Sequence, residues 1–217
     1  MPTLNQQSIH MNSNILCAVS IHTTGMKPNY HELCQICVMP LTSVFKPLES
    51  PMPFIADIIP RYNERIDRDD MPISHERMIH IMKHGLEHYT SGEMFLEWHA
   101  KLPLNFRKKL IPLAYNWPDT KPFVSEWLGP INMSNCFADS YRDILSTANY
   151  LNDYYDWHIE NCPFPKTNFQ YLASCAKIER IKPFEPITDC LAIGQIYKHM
   201  VDASILNKQG FSPIIAK

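Results

Sequence analysis

Hydrophobic residues fall along this chain in blocks of two kinds. Four are unbroken runs of strand length: Ile15–Ser20, Leu33–Met39, Phe54–Ile59 (stopped by Pro60) and Leu110–Tyr115. A continuous apolar run of this size, bounded by turn residues, reads as a strand buried on both faces. The turn over Gly25–Pro28 joins the first two as a hairpin. The other blocks have helical spacing. Ser74 is a good N-cap for a helix over His75–His88, and Met94, Phe95, Trp98 and Leu102 predict another from Ser91 to the stop at Pro103. Further helices are predicted over Asp119–Leu128, with Pro122 tolerated in the first turn, over Asp143–Tyr155 and over Asn168–Ala176. The last opens at Thr188 and carries Cys190, Leu191, Ile193, Ile196, Tyr197, Met200 and Val201 on a broad stripe. Strands come first, then alternate with helices, which predicts an α/β domain with a mixed central sheet flanked by helices. The expected layout is a tail over 1–13, one domain over 14–206 and a second tail over 207–217, with the charged segment Arg61–Met71 exposed.

Composition narrows the class without naming a function. A chain of 217 residues with 45% hydrophobic and 19% charged positions can bury a full core. Its net charge of −2 gives no global attraction to nucleic acid. Seven scattered cysteines fit reduced core thiols better than a disulfide framework, so a cytoplasmic location is expected. No apolar run reaches the ~18–20 residues of a membrane span, and the polar start lacks the order of a signal peptide. Eighteen prolines against six glycines predict stiff connections.

The chemistry is concentrated where Ile15–Ile21 runs into His22-Thr23-Thr24-Gly25. This stretch resembles the Asp-x-Glu-Thr-Thr-Gly motif of the DnaQ-like (DEDDh) 3′→5′ exonucleases, with Ser20 and His22 at the two acidic positions. Four later segments resemble the same family in the same order: Pro60–Asn63 through Ile66-Asp67; Pro112–Phe123, similar to the phage-type His-Asn-Trp-Pro-Phe-Asp; Tyr141–Asp143 with Cys162–Lys166 and Gln170–Leu172; and Phe184–Cys190, where the family has His-Asp-Ala-x-x-Asp-Cys. The resemblance spans about residues 14–202. It implies a ribonuclease H-like fold and, from the phage-type wording, a phage or prophage product.

The family's reaction, as the resemblance implies it, is two-metal hydrolysis of a terminal phosphodiester. Hard Mg²⁺ or Mn²⁺ ions seek carboxylate oxygens, and two adjacent dications need several anions. Position by position, Ser20, His22 and Thr120 stand where the family has acids, and Phe184 stands where it has its general-base His; Asp189 alone keeps its identity. A one-residue shift would make Asp119 the second-motif acid. Loss of the base alone typically costs about 10²–10⁴ in rate. The expectation is a catalytically degenerate homologue that binds a protein partner or a single-stranded DNA or RNA end without cleaving it, and that needs no cofactor. The alternative is an active exonuclease, using Mg²⁺ or Mn²⁺ through an unorthodox metal site built on His22 and Asp189. Thr23, Thr24, Tyr115, Asn116 and Trp117 are the candidates for a retained groove, with Trp117 stacking on a base. A homodimer stays open.

Other constellations compete with bland readings. His80, His84 and His88 recur every four residues and would share a helix face, as a metal site or a solvated stripe. Cys34 and Cys37 spell CxxC, but in a strand they face opposite sides and read as core thiols. Arg107, Lys108 and Lys109, with Lys177, Arg180 and Lys182, offer at most a weak phosphate contact. Trp98, Trp117, Trp127 and Trp157 are expected mainly in the core.

Overall fold

The computed structural model describes residues 14–69, 73–102, 109–158, 162–178 and 185–207, without the side chains of 158 and 203–207. The expected tails and Phe184 therefore lie outside the described residues, as do Arg107, Lys108, Arg180 and Lys182. Five strands form one sheet in the order β3-β2-β1-β4-β5. These are β1 (Ile15–Thr23), β2 (Leu33–Pro40), β3 (Phe54–Asp57), β4 (Leu110–Ala114) and the two-residue β5 (Arg142–Asp143). The first three pair antiparallel, and β4 and β5 add parallel to β1. Among the described residues seven helices cover the sheet: α1 (His75–His84), α2 (His88–Ala100), α3 (Trp117–Leu128), α4 (Pro130–Cys136), α5 (Ile144–His158), α6 (Phe169–Cys175) and α7 (Pro186–Asn207).

Alternation along β1 makes the layers. Cys17 and Val19 face a core with Phe95 of α2, Trp117 and Trp127 of α3 and Phe137 after α4. Leu16 and Ala18 point the other way, onto Ile144 and Ala148 of α5, Leu172 of α6 and Cys190 and Ile193 of α7. Ser20 and His22 continue this second row, so residue parity alone aims them at the layer containing α7. Among the described residues every cysteine is a free thiol, and Cys34 and Cys37 belong to different core clusters.

The helix predicted over His75–His88 ends at His84, and the one predicted from Ser91 opens three residues earlier, at His88. Leu86 donates its N–H to the Asp57 carbonyl and accepts from the N–H of Ile59, so the chain leaves α1 to pair beside β3. Gly85 permits the exit, because a Cβ there would sit 2.6 Å from the Ile81 carbonyl oxygen. His80 and His84 lie side by side on α1 with ring centroids 4.9 Å apart and planes tilted by 45°, but His88 opens α2. The three therefore do not share one helix face, which corrects the metal-stripe expectation.

His88 and His99 are both half-buried on α2, and in each the Nε2 atom is enclosed without a partner among the described residues. Burial lowers both imidazole pKa values. The folded state therefore refuses protons that the unfolded chain accepts below its ordinary value of about 6.5. Their contribution to stability is complete above about pH 6.5 and is lost as pH falls through the depressed folded values. We expect urea midpoints to drop between pH 7.5 and 5, and to drop less in a His88→Gln/His99→Gln variant; equal drops would contradict this origin.

Candidate functional site

A pocket of about 600 Å³ opens where the C-terminal half of β1 meets the starts of α3, α6 and α7. Ser20, His22 and Thr23 come from β1, Tyr115, Asn116, Asp119 and Thr120 from the β4–α3 junction, Phe169 from α6 and Asp189 from α7. Met26 and Phe123 add apolar walls. Four of the five residues expected at the ancestral centre, Ser20, His22, Thr120 and Asp189, thus share one cavity, each less than a tenth exposed.

Local structure explains how each is held. Asn116 adopts the left-handed region (φ 60°, ψ 62°), which Asn tolerates better than most residues, and turns the chain from β4 into α3. Its side-chain amide donates to Asp119 at 2.6 Å, holding that exposed carboxylate on the pocket rim. Thr120 sits in the first turn of α3 and donates its hydroxyl to the Asn116 carbonyl at 3.0 Å. Asp189 lies in the first turn of α7, where a carboxylate is favourable against the helix dipole. The next residue, Cys190, is fully buried and contacts the carbonyls of Ala18 and Cys37 at 3.5 and 3.4 Å, seating the helix on β1 and β2. Burial raises that thiol far above the ordinary range, so it is an inert core group.

The centre of the pocket floor is a histidine–aspartate contact, with His22 Nε2 3.4 Å from Asp189 Oδ2. The other ring nitrogen, Nδ1, lies 2.9 Å from Gln35 Oε1. Gln35 donates its amide to Asp57 Oδ1 at 2.7 Å, and Arg77 donates to both Asp57 oxygens at 2.9 and 3.0 Å. Because the Gln35 oxygen can only accept, His22 Nδ1 carries a proton. The chain Asp189–His22–Gln35–Asp57–Arg77 runs across three adjacent strands into α1. None of Gln35, Asp57 or Arg77 was singled out from sequence. Their signal is cross-strand register, with His22 opposite Gln35 and Gln35 opposite Asp57.

Two groove candidates are corrected. Trp117 is 1% exposed and packs beside Phe137 in the core behind the sheet, so no base can stack on it. Thr24 is fully buried, and its hydroxyl accepts from the Glu32 N–H at 2.9 Å to close the hairpin turn. Thr23 remains on the pocket wall, with its hydroxyl donated to the Gly25 carbonyl at 2.7 Å. Tyr115 also remains, its hydroxyl donated to the Thr167 carbonyl at 3.1 Å and its ring 5.4 Å from that of Phe169.

This floor does not fit a pair of divalent metals. Two dications require several carboxylates around them, whereas the described floor offers Asp189 already facing an imidazole and two hydroxyls. Among the described residues no group of three His, Cys, Asp or Glu side chains converges on a point that could hold a metal ion. A Ser–His–Asp hydrolase is excluded as well, since both ring nitrogens of His22 face Gln35 and Asp189 and neither is left to activate Ser20.

Comparison with solved structures decides the fold. The chain superposes on Escherichia coli exonuclease I in complex with a dT13 oligonucleotide with a TM-score of 0.60 at 14% identity, covering 90% of this chain and 43% of that one. It has the ribonuclease H-like fold of the DnaQ-type exonucleases. The nuclease domain of 3′hExo, a DEDDh family member bound to rAMP, matches with a TM-score of 0.58 at 15% identity over 89% of this chain and 94% of that domain. A chain from the yeast NOT1 MIF4G domain co-crystallised with CAF1 matches with a TM-score of 0.60 at 10% identity, over 89% and 81%. The protein spans less than half the length of exonuclease I. No family model and no curated relative matches its sequence. Among the described residues no helix is long and apolar enough to cross a membrane.

Proposed function

We propose that this protein is a catalytically degenerate relative of the 3′→5′ exonucleases and that it acts by binding, to a partner protein or to a single-stranded DNA or RNA end, without cleavage. The observation that supports this most is the His22–Asp189 contact, 3.4 Å long, on the floor of the pocket that also holds Ser20 and Thr120. In this reading the His22 ring covers the side of the remaining carboxylate that a metal ion would need, and Ser20 and Thr120 bring hydroxyls where metal binding calls for further carboxylates.

Purified protein incubated with labelled single-stranded DNA and RNA in Mg²⁺, Mn²⁺ or Zn²⁺ should show no cleavage above a buffer control. One observation favours a second reading, an active metal-dependent exonuclease: Asp119 brings another carboxylate to the same rim. Cleavage abolished by Asp189→Ala or Asp119→Ala would establish that reading and overturn ours. Retarded migration of an intact oligonucleotide would assign the protein to a nucleic-acid end, and its absence would turn the search to co-purifying protein partners.

A further inference from the structure

Trp157 was expected in the core and is 85% exposed. It belongs to a stripe on α5, where Tyr150, Tyr154 and Trp157 stand at i, i+4 and i+7 and so share one helix face. All three are exposed, Tyr150 at 66%. The opposite face of the helix, Ile144, Ala148, Leu151 and Tyr155, is buried against the sheet, so packing fixes which side α5 presents to solvent. The Tyr154 ring rests edge-on against buried Tyr155, with centroids 5.9 Å apart, which holds part of the stripe in place. Scattered exposed aromatics need no explanation; three on one face, one of them an almost bare tryptophan, do.

The charges beside the stripe define what it would receive. Residues 144–158 contain two acids, Asp153 and Asp156, and no Lys or Arg. Both aspartates are exposed, and neither forms a salt bridge among the described residues. Asp153 is three residues from Tyr150 and four from Trp157, so its carboxylate flanks the ring faces. The C-terminal end of α5, next to Trp157, adds the negative pole of the helix dipole. Ring faces, carboxylates and helix end all favour a cation, and a planar guanidinium is the group that stacks on aromatics while pairing with carboxylates.

We infer that the outer face of α5 is a docking surface for an arginine-bearing segment of a partner protein. Tyr150, Tyr154 and Trp157 supply the stacking platform, and Asp153 and Asp156 supply the charge. The inference does not depend on what the β1–α7 pocket binds, and the two fail separately.

The full chain would be titrated with a fluorescein-labelled helical peptide presenting arginines at i and i+4 spacing, with its glutamate counterpart, and with a fifteen-nucleotide single strand. The expected result is saturable binding of the arginine peptide alone, weakened about tenfold or more by Trp157→Ala and by Asp153→Asn/Asp156→Asn, with unchanged thermal melting. Tyr150→Ala, a milder surface change, repeats the test should Trp157→Ala perturb folding. Equal affinity in all variants would overturn the inference. So would single-strand binding that Trp157→Ala abolishes, or a dimer that it converts to monomer, because the stripe would then serve nucleic acid or a second copy.

Discussion

A variant carrying Ser20→Asp, His22→Glu, Thr120→Asp and Phe184→His should bind manganese with measurable heat and acquire exonuclease activity. Ser20, His22, Thr120 and Asp189 line one cavity, so three substitutions would join the existing carboxylate there and turn a floor with one carboxylate into one with four. Phe184→His follows the register of the sequence resemblance. The gain compounds two terms: metals supply the electrostatic stabilisation that usually dominates such reactions, and a general base adds about 10²–10⁴. Together they predict a rise of roughly 10⁴-fold or more over the parent chain. Removing His22 also uncovers the side of Asp189 that its ring faces, so Ser20→Asp/Thr120→Asp alone should bind metal less well than the set including His22→Glu. Calorimetry with Mn²⁺ and a labelled-oligonucleotide assay read both effects. Absence of any heat in the folded quadruple variant would mean that these positions do not correspond to the family's metal ligands.

The second large effect is on stability. Trp117→Ala should cost about 3–5 kcal/mol, a large part of the ~5–15 kcal/mol that holds a typical domain folded. Trp117 is 1% exposed, packs with its ring centroid 6.0 Å from that of Phe137, and starts α3 with its N–H donated to buried Asp143 at 2.6 Å. Truncation leaves an indole-sized void between α3 and the sheet. A groove residue would behave oppositely, losing affinity with little change in melting. Urea unfolding of Trp117→Ala separates the two; a midpoint near that of the parent would contradict the core assignment.

The strands show where sequence reading succeeds. Ile15, Leu33, Phe54 and Leu110 all begin strands as expected; β1, β2 and β4 are buried on both faces, whereas the edge strand β3 leaves Ile55 49% exposed. The hairpin follows from the same local physics, but α3 begins at Trp117, so Pro122 lies inside the helix and Pro118 takes the first-turn place. Where tertiary contacts override periodicity, the reading fails. The break at Gly85–Glu87 is set by Leu86 pairing beside β3, which nothing in the spacing of His75–His88 reveals. Helix α4 (Pro130–Cys136) was not anticipated, since seven residues after a Gly-Pro step carry little pattern.

The same limit governs the site. Motif order singled out Ser20, His22, Thr120 and Asp189, which line one cavity, and residue parity on β1 explains why Ser20 and His22 face α7. Their mutual arrangement was not legible. That His22 meets Asp189 through one nitrogen and Gln35 through the other depends on the register of β1 with β2 and on the seating of α7 through Cys190. Trp117 sits in the core as its spacing suggested and not in the groove, whereas Trp157 was misread, because aromatic identity does not tell which side of a long helix faces the sheet. Trp117 packs inward from the first residue of α3, whereas Trp157 falls on the outer stripe of α5.

Crystals of the unmodified protein soaked in manganese, with data collected at the metal's absorption edge, test the central claim most directly. The account predicts no anomalous peak between His22 and Asp189, because the His22 ring already faces the lone carboxylate of the floor. Two peaks about 3.5–4 Å apart at that position would show a working metal centre and contradict it.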